Sequence, residues 1–453
     1  MLRLFLYPML IILYILAMLF PNEELFQIVG VIANITIIVS FFYARGLYLY
    51  SGILFYIIGL TLFITNGLSW HEFFLQFDSM LGILALFLLL PFLNSLILVG
   101  RYDKHLRSLL EYKVSHGGDL YRRGGLVSHI LGLFLNIATI PLVLHSLQTS
   151  LKNYPKPITD KFYTQSLLRA YALCLMWSPM EIMIIKSLEI TDKEYIFIFP
   201  FLLFFSGTLL YLDTIFGKRK YAHLTIQAVE TNVSLSSILA KIKELFILLL
   251  LLVITVTILN KVLQQGYLFS LVLLIIPISL IWSFKIKKAH RYFTHSLAHW
   301  KLKTKGLANF FFMFLTAGFF VHMVAETKIL TYLQNVFIDF SNQTIILFGL
   351  IGLYFFITSF IGFHPLVSIV LLAEILQPIL SEISSIPLAI VLIMCSLSTV
   401  MYSPFNVSLS ILANELKRNS YQISVWNIPF ALVLIVGAIL FAYTIHIVTK
   451  III

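Results

Sequence analysis

Charge is what this 453-residue chain has least of. Asp, Glu, Lys and Arg make up 11% of it, against about a quarter in soluble globular domains. That scarcity excludes an ordinary water-soluble fold. Cysteine is nearly missing too. Cys174 and Cys395 both lie in apolar runs, so no disulfide framework or thiolate metal cluster is expected. They read as buried thiols packing like small apolar groups. No GxxxxGK[ST] phosphate loop occurs, which argues against a primary pump within the chain. No cleavable signal-peptide pattern is read in the first residues. "MLRLFLYPMLIILYILAMLF" has no small-residue cleavage site after its apolar stretch and reads as a retained first span.

What is present is apolar length. The chain is 60% hydrophobic and 15% aromatic, with a mean hydropathy of +0.97. Runs of about 18 to 25 residues are long enough to cross a hydrocarbon core of about 30 Å. The expected class is an all-α polytopic membrane protein; a β-barrel would alternate in short segments instead. Eleven crossings are read, at 3–20, 25–43, 50–66, 80–100, 166–190, 195–215, 245–262, 267–284, 307–325, 388–415 and 424–447. Regions 118–150 and 343–381 are apolar but hold polar, Pro-containing centres. Both are read as re-entrant hairpins.

The net charge of +11 does not call for nucleic acid, because the basic residues cluster in a few loops. Loop 101–124 holds Arg101, Lys104, Arg107, Lys113, Arg122 and Arg123; loop 216–244 holds Lys218, Arg219, Lys220, Lys241 and Lys243; loop 285–306 holds a third cluster. The positive-inside rule places all three in the cytoplasm, with "ELKRNSYQ" at 415–422. The loops near Glu23, His71 and Glu382 fall outside. The expectation is a multi-pass protein of the cell (inner) membrane, with a cytoplasmic N-terminus and an extracytoplasmic C-terminus.

One breaker occurs twice. "MWSPMEIMII" spans 176–185 and "MYSPFNVSLS" spans 401–410, each a Ser-Pro pair inside an apolar run. Each follows a hairpin at nearly equal distance: 178 − 136 = 42 positions from Asn136 to Ser178, and 403 − 362 = 41 from Gly362 to Ser403. The chain then divides into an extra first helix (1–24), a first repeat (25–215, with hairpin 118–150 and broken helix 166–190), a cytoplasmic linker (216–244) and a second repeat (245–453, with hairpin 343–381 and broken helix 388–415). Five crossings separate equivalent spans, an odd number, so the second repeat is inverted. Inverted repeats with matching Pro-interrupted segments point to a secondary-transporter site near the midplane. A simple proline kink is the plainer alternative for either segment alone.

On these segments the chain resembles the ion transporter superfamily: divalent-anion/sodium symporters, arsenite and citrate permeases, and the large membrane subunit of TRAP transporters. The carriers are "LFLNIATIPLVL" and "MWSPMEIMII" in the first half, with "ITSFIGFHPLV" and "MYSPFNVSLSILANEL" in the second. The resemblance covers 118–447. It implies an elevator-type transporter, with hairpins and broken helices forming a mobile domain, in a homodimer.

Candidate site residues sit at the tips and breaks. Asn136 and Thr139 mark the first tip; Ser359, Gly362 and His364 mark the second. Ser178 and Glu181 flank Pro179, and Ser403, Asn406 and Ser408 flank Pro404. The hydroxyl and amide oxygens around Pro404, with carbonyls freed by it, suit Na⁺; helix–helix hydrogen bonding is the alternative. Glu181 is an acid inside a span, a proton-carrier candidate or an ion pair with Lys186. Arg169 can snorkel to the surface or contact an anionic substrate, and snorkelling is favoured. His364 can titrate or hydrogen-bond its turn. His129, His145 and His322 read as structural. His295 and His299 lie on a basic amphipathic segment at 288–305 suited to anionic lipid.

The function expected is secondary active transport of a small, anionic solute coupled to Na⁺ or H⁺. No enzyme activity and no cofactor beyond the coupling ion are expected. The alternative is a flippase, or a polytopic enzyme, acting on a lipid-linked cell-envelope substrate.

Overall fold

The structure is a computed structural model that describes residues 2–111, 114, 116–226 and 235–452. Lys113 of the first basic loop and residues 227–234 of the linker lie outside the described residues. In chain order the α-helices are α1 (Leu2–Leu19), α2 (Glu23–Phe41), α3 (Leu47–Thr65), α4 (Trp70–Phe74), α5 (Leu81–Gly100), α6 (Tyr102–Glu111), α7 (Gly117–Leu135) and α8 (Thr139–Ser150). Then come α9 (Lys156–Thr164), α10 (Ala170–Leu175), α11 (Ile182–Thr191), α12 (Tyr195–Lys220), α13 (Leu235–Leu263), α14 (Tyr267–Lys285) and α15 (Ala289–Lys305). The rest are α16 (Ala308–Ala325), α17 (Lys328–Ile338), α18 (Thr344–Ile361), α19 (Pro365–Leu376), α20 (Ser385–Tyr402), α21 (Val407–Leu416) and α22 (Ser420–Ile452).

Twelve helical stretches among the described residues are long and apolar enough to cross a membrane. The chain is an all-α, multi-pass membrane protein. Ten of the twelve coincide with expected crossings. The other two are 117–150 and 344–361, the hairpin regions. The eleventh expected crossing, 166–190, is absent from this set because it is chopped into short helices. Helices α8 and α19 have 12 residues each, about 18 Å, which is too short to cross a core of about 30 Å. The 18 residues of α18 are not too short.

The fold separates into two compact units that ignore the halves of the sequence. The first unit comprises 1–100, 254–339 and 370–378. Its densest packing is α3 on α16. Gly52 and Gly59, two turns apart on α3, meet the rings of Phe312 and Phe319, two turns apart on α16. A Cβ at these glycines would stand 2.5 and 2.8 Å from ring atoms. Small residues let membrane helices approach closely, and here they make sockets for phenylalanine. Phe77 stacks on Phe319 at 4.9 Å and Phe73 meets it edge-on at 5.3 Å.

The second unit comprises 101–253, 340–369 and 379–453. It collects α7, α8, both interrupted helices, α12, α18 and α22. Its axis is α20, in which every residue from Pro387 to Tyr402 is buried. A helix apolar all round belongs at the centre of a bundle. Helices α10, α11, α12, α18, α21 and α22 pack on it. All candidate site residues belong to this unit.

Candidate functional site

Proline sets where both interrupted helices stop. Pro404 has no N–H, so the Val400 carbonyl loses its helical partner. Helix α20 ends at Tyr402. The chain turns through Ser403–Asn406, the Asn406 N–H donating to the Ser403 carbonyl at 3.1 Å, and α21 starts. Three carbonyls at the end of α20 are taken up by side chains. Ser408 Oγ donates to Val400 O at 2.8 Å, Asn427 Nδ2 donates to Met401 O at 3.1 Å, and Ser424 Oγ donates to Tyr402 O. Asn406 caps α21, its Oδ1 accepting the Ser408 N–H at 3.0 Å. Ser403 Oγ donates to Ser359 O at 2.8 Å, tying the break to α18. Gly362 ends α18 at φ 100°, a conformation that a Cβ would oppose. His364 Nδ1 accepts the Leu366 N–H at 3.3 Å, so the hydrogen bond to the hairpin turn is present.

The first break has the same backbone and a different side chain. The Glu181 N–H donates to Ser178 O at 3.0 Å, and the Trp177 carbonyl accepts the Tyr195 hydroxyl at 2.5 Å. Glu181 stands at the cap position of α11, yet its side chain makes no capping bond. Among the described residues it has no ion pair. Lys186 pairs with Glu189 at 2.7 Å instead. At the first tip, Asn136 adopts φ 49° and its Oδ1 accepts the Tyr171 hydroxyl at 2.5 Å. Thr139 is fully buried, with no partner for its Oγ1 among the described residues. Ser178 is also buried.

The two breaks repeat at one offset. Ser178 and Ser403, Glu181 and Asn406, and Asp192 and Lys417 are each 225 positions apart. Each restarted helix is 10 residues long and ends on a left-handed residue, Asp192 (φ 49°, ψ 47°) or Lys417 (φ 54°, ψ 46°). The return arms α8 and α19 start 226 positions apart and are equal in length. Helices α10 and α11 both pack on α20, and α8 packs on α21, where His145 lies 3.8 Å from Glu415. The interrupted helices are therefore side by side.

Arg169 neither snorkels nor stands open to a solute. It closes a π-helical turn, Gln165–Arg169, between α9 and α10. Such turns frequently mark functional places in helices. Its guanidinium pairs with Asp213 of α12 at 2.8 Å, the two side chains being 13% and 6% exposed. Its Nε donates to Asn427 Oδ1 at 3.1 Å, and it lies over the Phe430 ring at 4.7 Å. The other Asp213 oxygen accepts the Tyr121 hydroxyl at 2.8 Å. One hydrogen-bonded chain thus runs from α7 (Tyr121) through Asp213, Arg169 and Asn427 to the Met401 carbonyl at the second break. Sequence reasoning passed over Asp213, Asn427 and Tyr121. An acid inside the apolar run 195–215 was the available signal.

His129 and His322 are each tied to a neighbouring element by a side-chain hydrogen bond. His129 Nδ1 bonds Ala170 O at 3.0 Å and its Nε2 accepts the Trp177 indole N–H at 2.9 Å. That pattern requires the neutral ring with its proton on Nδ1. His322 Nδ1 meets Gln76 Oε1 at 3.2 Å.

No family model matches the chain, and no curated protein matches it. Among solved structures the fold is similar to the Alcanivorax borkumensis YdaH transporter, whose crystal structure is described as revealing an unusual topology. The TM-score is 0.56 at 14% identity, over 88% of this chain and 98% of that one. At this identity the likeness is one of fold alone.

Proposed function

We propose that the chain is a secondary active transporter of a small anionic solute, coupled to Na⁺ or H⁺, in the cell membrane. The observation that carries this reading is the pair of Ser-Pro breaks at one offset, side by side in one unit, each after a short returning arm. Interrupted helices in matching positions build midplane sites from the dipoles of their half-helix ends. The likeness to YdaH supports transport over enzymatic chemistry. The two arms of 12 residues favour re-entrant hairpins, and with them inverted repeats. The partition into a unit holding every break and tip and a second unit without them supports an elevator; the assembly proposed is a homodimer.

In this reading Ser403, Asn406 and Ser408, with Ser359, Gly362 and His364, form the second half-site. Asn136, Thr139, Ser178 and Glu181 form the first. The halves differ in charge: Asn406 spends its amide oxygen on a cap, while Glu181 keeps a carboxylate without a cation.

Thermal unfolding of the detergent-purified chain tests the reading. Na⁺ is compared with K⁺ at two pH values, with carboxylates, oxyanions and lipid phosphates added singly. A ligand at 100 times its dissociation constant stabilises by about 2.7 kcal/mol. Stabilisation by one anion class together with Na⁺ or acid supports a symporter. Stabilisation by lipid phosphate alone favours the flippase. Asn406→Ala and Ser403→Ala are expected to abolish uptake with expression intact; unchanged uptake in both removes these residues from the site.

A further inference from the structure

A cavity of about 450 Å³ lies within the second unit, away from the breaks, between the start of α18 and the last turns of α22. One wall is polar. Asn342, Gln343 and Thr344 precede or open α18, and His446 and Lys450 come from α22. His446 is held in place from both sides, its Nδ1 2.9 Å from Ser384 Oγ and its Nε2 3.3 Å from Thr344 Oγ1. Tyr443 stacks on it. Lys450, one turn further on, has no ion-pair partner among the described residues. The other wall is apolar: Ile346 and Ile447 are 40% and 41% exposed, and Ile451 is 77% exposed.

These features coincide with a boundary. The polar run Ser341–Asn342–Gln343 ends where the largely apolar, 18-residue helix α18 begins. On α22, Lys450 stands in the last turns of a long apolar helix, at the same cavity, with Ile451 and Ile452 after it. Where α18 passes from polar to apolar is where a bilayer passes from headgroup to acyl chain. A lysine at that depth attracts anionic lipid. The first turn of α18 adds N–H groups, because Gln343 provides no side-chain cap.

We propose that this cavity binds the phosphate headgroup of an anionic membrane phospholipid. Lys450 supplies the charge, the polar groups of Asn342 and Thr344 supply hydrogen bonds, and Ile346 and Ile447 flank the acyl chains. The lipid here is a bound component, and the site does not depend on the transport reading.

Native mass spectrometry of the full chain tests this. Dioleoyl-phosphatidylglycerol, dioleoyl-phosphatidylcholine and inorganic phosphate are the probes. The wild type is expected to retain phosphatidylglycerol about fivefold over phosphatidylcholine, the equivalent of the ~1 kcal/mol that one cation near a charged headgroup contributes. Lys450→Gln is expected to remove that preference, and Lys450→Arg to keep it. Ile346→Ser is expected to weaken lipid retention as well. Equal retention of the two lipids, or a preference that survives Lys450→Gln, overturns the proposal. Displacement of the lipid by millimolar inorganic phosphate also overturns it, because the site would then be one for free phosphate.

Discussion

At the scale of single residues, the second unit shows how a membrane interior treats charge. Arg169 and Asp213 are buried and paired with each other, with Asn427, the Trp426 carbonyl and Tyr121 taking further donors and acceptors. Removing one partner of a buried pair strands the other, at about 3–5 kcal/mol, whereas replacing both by apolar groups is often neutral. Arg169→Met and Asp213→Leu are each expected to lower the thermal-unfolding midpoint by several degrees, and the double variant to recover most of that loss. Additive losses in the double variant would show that the ion pair is not the unit. Glu181 is the contrasting case, an acid at a helix break with no cation beside it among the described residues. If it carries the coupling proton, Glu181→Gln abolishes solute-driven proton uptake in proteoliposomes, and Glu181→Asp retains part of it. Undiminished proton uptake in the Gln variant assigns the coupling elsewhere. The acid was plain in the sequence; its lack of a partner was not. Lys186, five positions on, looked equally able to pair with it until the fold turned that lysine to Glu189.

Elements are placed by close approaches that the sequence only hints at. Helices α7 and α12 cross so tightly that a Cβ on Gly118 would stand 2.2 Å from the Lys218 carbonyl, and one on Gly217 would stand 2.0 Å from the Tyr121 ring. This crossing aims the Tyr121 hydroxyl at Asp213. Gly217→Ala is expected to destabilise by about 1–3 kcal/mol, the usual cost of overpacking, and to loosen the Tyr121–Asp213 bond. An unchanged unfolding midpoint would mean that Tyr121 swings aside without cost. The Ser-Pro breaks were legible, because proline's missing N–H acts through chain neighbours. The donors that heal them were not. Ser424 and Asn427 stand 22 and 26 positions beyond the carbonyls they satisfy, on the far side of a helix that must first fold back.

On the scale of the whole molecule, pH is expected to act on the first unit through α15, which is not among the apolar spans. His299 meets Ser95 Oγ at 3.0 Å. Burial holds its pKa below the usual 6.5, with smaller contributions from Lys303 and His295. A histidine with a lowered folded pKa binds fewer protons folded than unfolded. Stability is then lost as pH falls through 6.5 toward the folded value, and does not fall further below it. The unfolding midpoint should drop between pH 7.5 and 5.5, and His299→Gln should flatten part of that drop. An identical pH profile in the variant would place the effect on another group.

The sequence by itself determined that the chain is helical, spans a membrane many times and breaks two helices at matching places. These properties follow from local chemistry: run length against bilayer thickness, and proline against the helical hydrogen bond. Tertiary structure decided the rest. It drew each compact unit from both halves of the chain, counted the hairpin regions among the span-length helices, buried Arg169 against Asp213 and left Glu181 without a cation among the described residues. Partners within a bundle of apolar helices are chosen by packing across long stretches of sequence, and the pattern of residues along one helix does not encode which neighbour it meets.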